Sequence, residues 1–253
     1  MNNTTHLQYL DAMGITVWQA KMPITHAETN IITEPLIASS LIEIENTPPE
    51  LSIIENTPPL IESTTSANDD WQQLETEVIN CTKCELCNSR MQTVFGTGNK
   101  TARWLIVGEA PGQSEDEQGK PFVGVAGQLL TEMLRAIDLD REKDVFIANI
   151  LKCRPPNNRD PHVAEIANCA DYLARQQALV KPDMILAVGR IAAQTLLQTN
   201  EPLSKLRGKV HSLRGTPLVV VYHPAYLLRS LIEKRKAWQD LLFAVQTMEG
   251  IKK

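Results

Sequence analysis

Four short runs constrain the fold most: Trp104-Leu105-Ile106-Val107, Val145-Phe146-Ile147-Ala148, Met184-Ile185-Leu186-Ala187-Val188 and Leu218-Val219-Val220-Val221. Each is apolar on both alternating faces and rich in β-branched residues, the composition of strands covered on two sides. Helical stretches separate or follow them, near 125–137, 161–179, 190–198 and 231–248. Strands alternating with helices predict an α/β fold, a three-layer α/β/α sandwich around a mainly parallel four-stranded sheet. In such sheets ligands gather beyond the carboxyl ends of the strands. Three segments fall there: the turn Gly108-Glu109-Ala110-Pro111-Gly112, Asn149, and the pair His223-Pro224.

The alternation begins near Trp71, so 71–253 is assigned to the folded domain. Upstream, Ile44-Glu45-Asn46-Thr47-Pro48-Pro49 recurs as Ile54-Glu55-Asn56-Thr57-Pro58-Pro59. Paired prolines exclude helix and the polar content offers little to bury, so 22–70 is read as a disordered acidic linker. Net charge is −5, yet residues 1–70 hold one lysine against ten acids. That leaves twenty-four basic and twenty acidic residues for the remainder, a mildly basic domain compatible with a nucleic-acid partner. A hydrophobic content of 43% over 253 residues supplies one substantial core. No apolar run reaches the roughly 18 residues of a membrane span. The opening Met1-Asn2-Asn3-Thr4-Thr5-His6 lacks the basic-then-apolar order of a secretory signal, which gives the expectation of a cytoplasmic protein with reduced thiols.

Cysteine spacing adds a second constraint. Cys81 and Cys84 form a CxxC, and Cys153 and Cys169 can close a four-thiolate site from farther along the chain. Zinc and an iron–sulfur cluster both accept four thiolates, and spacing does not choose between them. Cys87 extends the first pair to CxxCxxC, and its plain reading is an ordinary buried cysteine.

Five ordered blocks resemble the family 4 uracil-DNA glycosylases, the iron–sulfur type: Asn80-Cys81-Thr82-Lys83-Cys84, Gly108 to Gly112, Gly119-Lys120-Pro121-Phe122-Val123-Gly124, Asn149-Ile150-Leu151-Lys152-Cys153-Arg154-Pro155-Pro156, and His223-Pro224-Ala225-Tyr226-Leu227-Leu228-Arg229. The resemblance covers nearly all of 71–248. It implies excision of uracil from DNA, and a structural [4Fe–4S] cluster on Cys81, Cys84, Cys153 and Cys169 with Cys87 spare. Zinc is the alternative occupant.

Such an enzyme extrudes the base and reads its polar edge in a close pocket. Phe122 offers a flat face for stacking, and Asn149 presents the donor and acceptor that uracil O4 and N3–H need together. His223 is suited to donate to O2 as charge develops there, and a neutral imidazole suffices. Glu109, Ala110 and Pro111 are expected against the base, with Glu109 also orienting water or stabilising the sugar cation. The resemblance assigns Glu115 to the exclusion of thymine's methyl; its plain reading is a solvated acid. Leu227 or Leu228 is expected to wedge into the vacated stack, and Arg229, Arg207 and Lys209, with Lys205 and Arg214, to form a phosphate-facing rim.

Residues 1–21 include the apolar stretch Leu7 to Trp18, which resembles the opening of the clamp-loader psi subunit, a peptide that docks on the chi subunit. On that reading the linker tethers a monomeric repair enzyme to replication. Two other readings compete. One is a protein that traps uracil-DNA covalently through a histidine, against which the loop Pro155 to His162 lacks a basic insertion. The other is a zinc-stabilised replication adaptor.

Overall fold

The computed structural model describes residues 67–251. The docking peptide and all but the last residues of the linker therefore lie outside the described residues. The described chain opens on helix α1 (Ala67–Ile79), so regular structure starts inside the stretch assigned to the linker. There follow α2 (Leu86–Ser89), β1 (Thr97–Gly98), β2 (Trp104–Gly108), α3 (Gln113–Gln118), α4 (Val125–Arg135) and β3 (Val145–Asn149). The second half contains α5 (Val163–Val180), β4 (Met184–Val188), α6 (Arg190–Leu197), α7 (Leu203–Leu206), β5 (His211–Leu213), β6 (Thr216–Val221), α8 (Pro224–Arg229) and α9 (Lys234–Ile251).

The strand order is β1-β3-β2-β4-β6-β5. The four apolar runs form the parallel centre, as the sequence predicts. The sheet nonetheless has six strands, because short β1 and β5 add antiparallel edges. Neither edge strand is a fully apolar run: Thr97-Gly98 and His211-Ser212-Leu213 are half exposed, so the two-sided hydrophobic signal is missing from them.

Alternation along each central strand sorts the core into two layers. Leu105, Val107, Phe146, Ala148, Ile185, Ala187, Leu218 and Val220 face one side, where Trp71, Leu74 and Val78 of α1, Tyr172 and Leu173 of α5, and Ala192 and Ala193 of α6 cover them. Trp104, Ile106, Val145, Ile147, Met184, Leu186, Val219 and Val221 face the other, under Leu130, Met133 and Leu134 of α4 and Leu241 and Ala244 of α9. The three-layer expectation holds. Burying each such side chain contributes about 1.5–3 kcal/mol, which is why two-sided apolar strands end in the middle. No helix among the described residues is long and apolar enough to cross a membrane.

Candidate active site and cysteine cavity

Register builds the cleft. Gly108 and Asn149 are partners across β2 and β3. The ladder continues past them, with Ile150 N donating to Gly108 O at 2.9 Å and Leu151 N to Glu109 O at 3.1 Å. The two chains therefore leave the sheet abreast, one carrying Glu109 and the other Asn149. β4 and β6 bring Gly189-Arg190 and Tyr222-His223 to the same edge, and the four ends line an open cleft of about 680 Å³.

Asn149 is buried, and its Oδ1 has no hydrogen-bond partner. A buried carbonyl oxygen left without a donor costs about 1–3 kcal/mol, so this is an acceptor kept free at a price in stability. Phe122 stands beside it. A Cβ at Gly108 would lie 2.6 Å from the Phe122 ring and collide with the Asn149 amide; glycine there lets ring and amide meet over the strand end.

Phe122 has φ +53°, the left-handed region that an aromatic residue rarely adopts. Its surroundings enforce it. Gly127 on α4 packs so closely that a Cβ there would overlap the Phe122 carbonyl. Arg141 Nη2 donates to Pro121 O at 2.5 Å. Glu115 ties the loop to the glycine turn: Oε1 accepts from Val123 N (2.9 Å) and Gly124 N (3.0 Å), and Oε2 from Gly112 N (3.1 Å). The acid is thus no freely solvated side chain.

His223 precedes α8, where Pro224 occupies the first turn and needs no amide donor. Its Nδ1 accepts from Ala225 N at 3.1 Å. An accepting Nδ1 places the single ring proton on Nε2. Burial, followed by the positive charge of Arg229, lowers the His223 pKa to about 4, so the imidazole is neutral near pH 7. Its ring lies 5.7 Å from that of Phe122, tilted by 32°. Glu109 shifts the other way: burial, and then the charge of Asp160, raise it to about 7 against the opposing pull of Arg190.

The cysteines gather elsewhere. Cys81, Cys84, Cys87, Cys153 and Cys169 line one cavity, walled by Leu86, Leu151 and Tyr172, and all five are free of disulfides. Donors are aimed at the sulfurs: Arg90 Nη1 reaches Cys153 Sγ at 2.9 Å, and Lys152 N reaches Cys169 Sγ at 3.3 Å. Arg90 also binds the carbonyls of Ile79 and Cys81, which fixes the CxxC loop. Burial pushes the Cys153 thiol up to about 11, so an ionised sulfur there requires added positive charge. A set of sulfurs with one amide donor and one guanidinium fits a bound metal group, for which thiolates are the ligands.

Comparison with known proteins identifies the family. The sequence profile of the Uracil DNA glycosylase superfamily matches residues 95–242. The chain belongs to the uracil-DNA glycosylase superfamily. Within it, the chain is 46% identical over 160 residues to the Type-4 uracil-DNA glycosylase of Archaeoglobus fulgidus, covering 60% of this chain and 80% of that one. It is 43% identical over 180 residues to the Type-4 enzyme of Pyrobaculum aerophilum, covering 68% and 91%, and 44% identical over 155 residues to that of Thermotoga maritima, covering 60% and 80%. The resemblance to family 4 that the five sequence blocks carry is therefore shown.

As a uracil-DNA glycosylase family member, the chain brings Glu109, Ala110, Pro111, Glu115, Phe122, Asn149, His223 and Arg229 to one cleft. Three expectations on the DNA-facing residues meet different geometry. Leu227 is only 1% exposed and packs in the core beneath α8, which leaves the 40%-exposed Leu228 as the side chain able to reach a partner. Arg207 is no free cation: Nε and Nη2 pair with Asp240 at 2.5 and 2.9 Å, and the guanidinium lies 4.2 Å over the Tyr222 ring. It supports a wall of the cleft from behind. Arg214 stands in the β5–β6 hairpin, at the end of β6 opposite the cleft, and donates to Gln177. Lys209 is exposed just before β5.

Sequence reading missed several residues lining the cleft, among them Arg190, Tyr222, Tyr226 and Arg159. Arg190 follows β4 as Asn149 follows β3, so the strand-end rule finds it. Tyr222 and Tyr226 stack at 5.3 Å through α8, a contact that appears only once the helix is in place.

Proposed function

We propose that this glycosylase hydrolyses the N-glycosidic bond of deoxyuridine in DNA, releasing uracil and leaving an abasic site. The observation that carries the reading is the unpartnered Asn149 Oδ1, held beside the Phe122 ring in a cleft that His223 also lines. Uracil N3–H donates to that oxygen, and O4 accepts from the Asn149 amide nitrogen. Cytosine reverses both roles and would leave buried groups mismatched, at about 1–3 kcal/mol each. The base must leave the duplex stack to enter, which gives the Phe122 face its role as a stacking platform.

Bond cleavage moves negative charge to uracil O2 and positive character to the sugar. The Nε2–H of neutral His223 donates to O2, where the charge grows. Glu109, once ionised, orients the attacking water or stabilises the sugar cation. Glu115, immobilised by three backbone amides, walls the cleft on the side where thymine would carry its methyl group. Leu228 fills the gap left in the stack, and Arg229 and Lys209 meet phosphates.

Cys81, Cys84, Cys153 and Cys169 would hold a [4Fe–4S] cluster, which supplies a covalent staple between the CxxC loop and the chain leaving β3. All five cysteines line one cavity, and four thiolates are a ligand set that an iron–sulfur cluster accepts. Zinc, which also takes four thiolates, is the less favoured occupant.

The deciding experiment offers a uracil-containing oligonucleotide to purified protein. Free uracil released over many turnovers supports the reading. A stable protein–DNA adduct, or intact substrate, overturns it. Iron and zinc analysis of the same preparation identifies the occupant of the cysteine cavity.

A further inference from the structure

Among the described residues Lys152 is the only buried basic side chain, at 1% exposure. Its Nζ donates to Asn149 O at 2.9 Å and to Gln176 Oε1 at 2.6 Å. Gln176 is itself fixed, donating through Nε2 to Phe95 O at 2.9 Å. Both acceptors are neutral amides, which satisfy the donors but not the charge. A buried ammonium without a counter-ion is costly by several kcal/mol. Sulfurs lie nearby that would become negative on binding a metal group: Lys152 lines the cysteine cavity, precedes Cys153 in the chain, and its own backbone N donates to Cys169 Sγ at 3.3 Å. Lys152 therefore stands between the two sites, with its head group on the backbone of the residue that faces the cleft and its charge beside two walls of the cysteine cavity.

We propose that Lys152 is a positioning residue joining the two sites: its ammonium is the counter-charge of the thiolate-bound group in the cysteine cavity, and its hydrogen bond fixes the strand end that presents Asn149 to uracil. This rests on the function proposed above. Four thiolates around a cluster leave net negative charge in an apolar cavity, and a fixed cation one residue away offsets it. The same ammonium clamps the carbonyl of Asn149, the last residue of β3. Gln176 sets the direction of the lysine from α5. Filling the cysteine cavity and holding the reading amide are thereby linked through one side chain that touches neither substrate nor metal.

The test uses the metal-loaded full chain and three readouts: iron per protein, the reduction potential of the cluster, and inhibition by free uracil. Lys152→Met removes charge and donors at similar length. It should raise the uracil inhibition constant roughly tenfold, the worth of one lost hydrogen bond, and move the couple to more negative potential because a nearby cation favours the reduced form. Loss of iron from soluble K152M likewise supports the counter-charge role. A soluble, iron-loaded K152M with an unmoved couple or an unmoved inhibition constant overturns the proposal. If K152M gives no soluble protein, Gln176→Glu decides: a carboxylate facing Nζ cancels its charge and should shift the couple the same way, and an unmoved couple overturns the assignment. Wild-type excision and iron content are measured alongside. A wild type lacking either ends the underlying reading, while an intact wild type with unaltered variants ends the Lys152 proposal alone.

Discussion

The cleft and the cysteine cavity both draw on the chain around the end of β3, yet they are finished in opposite ways. In the cleft a buried acceptor is left without a donor, an aromatic residue is held at positive φ, and a carboxylic acid is pushed up to about 7. In the cavity the hydrogen bonds hold the chain: Arg90 reaches a sulfur and two carbonyls, and the walls are closed by leucine and tyrosine. Unsatisfied groups persist in a folded protein when a ligand completes them, and satisfied ones when they hold the fold. The difference supports the proposal of binding in the first region and stapling in the second.

The largest effect should come from breaking the staple. Cys153→Ser removes a proposed ligand at the point where the chain leaves β3, and with it the proposed cross-link to the CxxC loop. Losing a link across so long a loop should cost about 3–5 kcal/mol, a fall on the order of 10 °C in Tm, with iron lost in parallel. A variant that melts with the wild type would deny the cavity its structural role.

The opposite result is expected in the cleft. Asn149→Ala should lower excision by about 10²–10³-fold while leaving Tm unchanged or slightly raised, since it deletes an acceptor that the free protein leaves unpaired. His223→Ala should match it in rate, with a small loss of stability from the missing contact to Ala225 N. Single-turnover kinetics and thermal melts on the same samples check both. Near wild-type rates would remove the residue from the mechanism.

Gly127→Ala tests the support beneath the cleft. Alanine normally favours a helix by about 1 kcal/mol over glycine, but here its Cβ meets the Phe122 carbonyl, and overlap with backbone should win by about 1–3 kcal/mol. Phe122 would be displaced, so excision should fall more than stability does. An increase in Tm with full activity would show that the loop adapts.

Much of this contrast is legible in sequence because strand ends are. β-branched runs place Asn149, the glycine turn and His223 at one edge before any coordinates are known. What stayed hidden depends on partners far apart in sequence. Arg207 reads as a basic rim residue until Asp240, on the last helix, turns it inward. Leu227 and Leu228 are identical letters, separated only by the direction α8 takes: one side is core, the other is exposed. Glu115 reads as a surface acid because its three partners are backbone amides, which no side-chain pattern records. β1 and β5 escaped notice because edge strands need only one apolar face.

The smallest effect is a pH dependence, and it pits the two requirements against each other inside one residue. Glu109 has its folded pKa raised from 4.5 to about 7, so between those values the folded state holds a proton that the unfolded chain has released. Its contribution to stability is complete below the unfolded value and declines as pH rises through about 7. If the ionised form serves the reaction, kcat/KM should do the reverse, climbing up to tenfold per unit below about 7 and levelling above it. His223, lowered to about 4, stays neutral across this range and adds no limb of its own until the solution is strongly acidic. Glu109→Gln should therefore flatten the limb near pH 7 and remove the matching decline in Tm. A limb that survives the substitution would belong to another group and leave Glu109 with a role in shape alone.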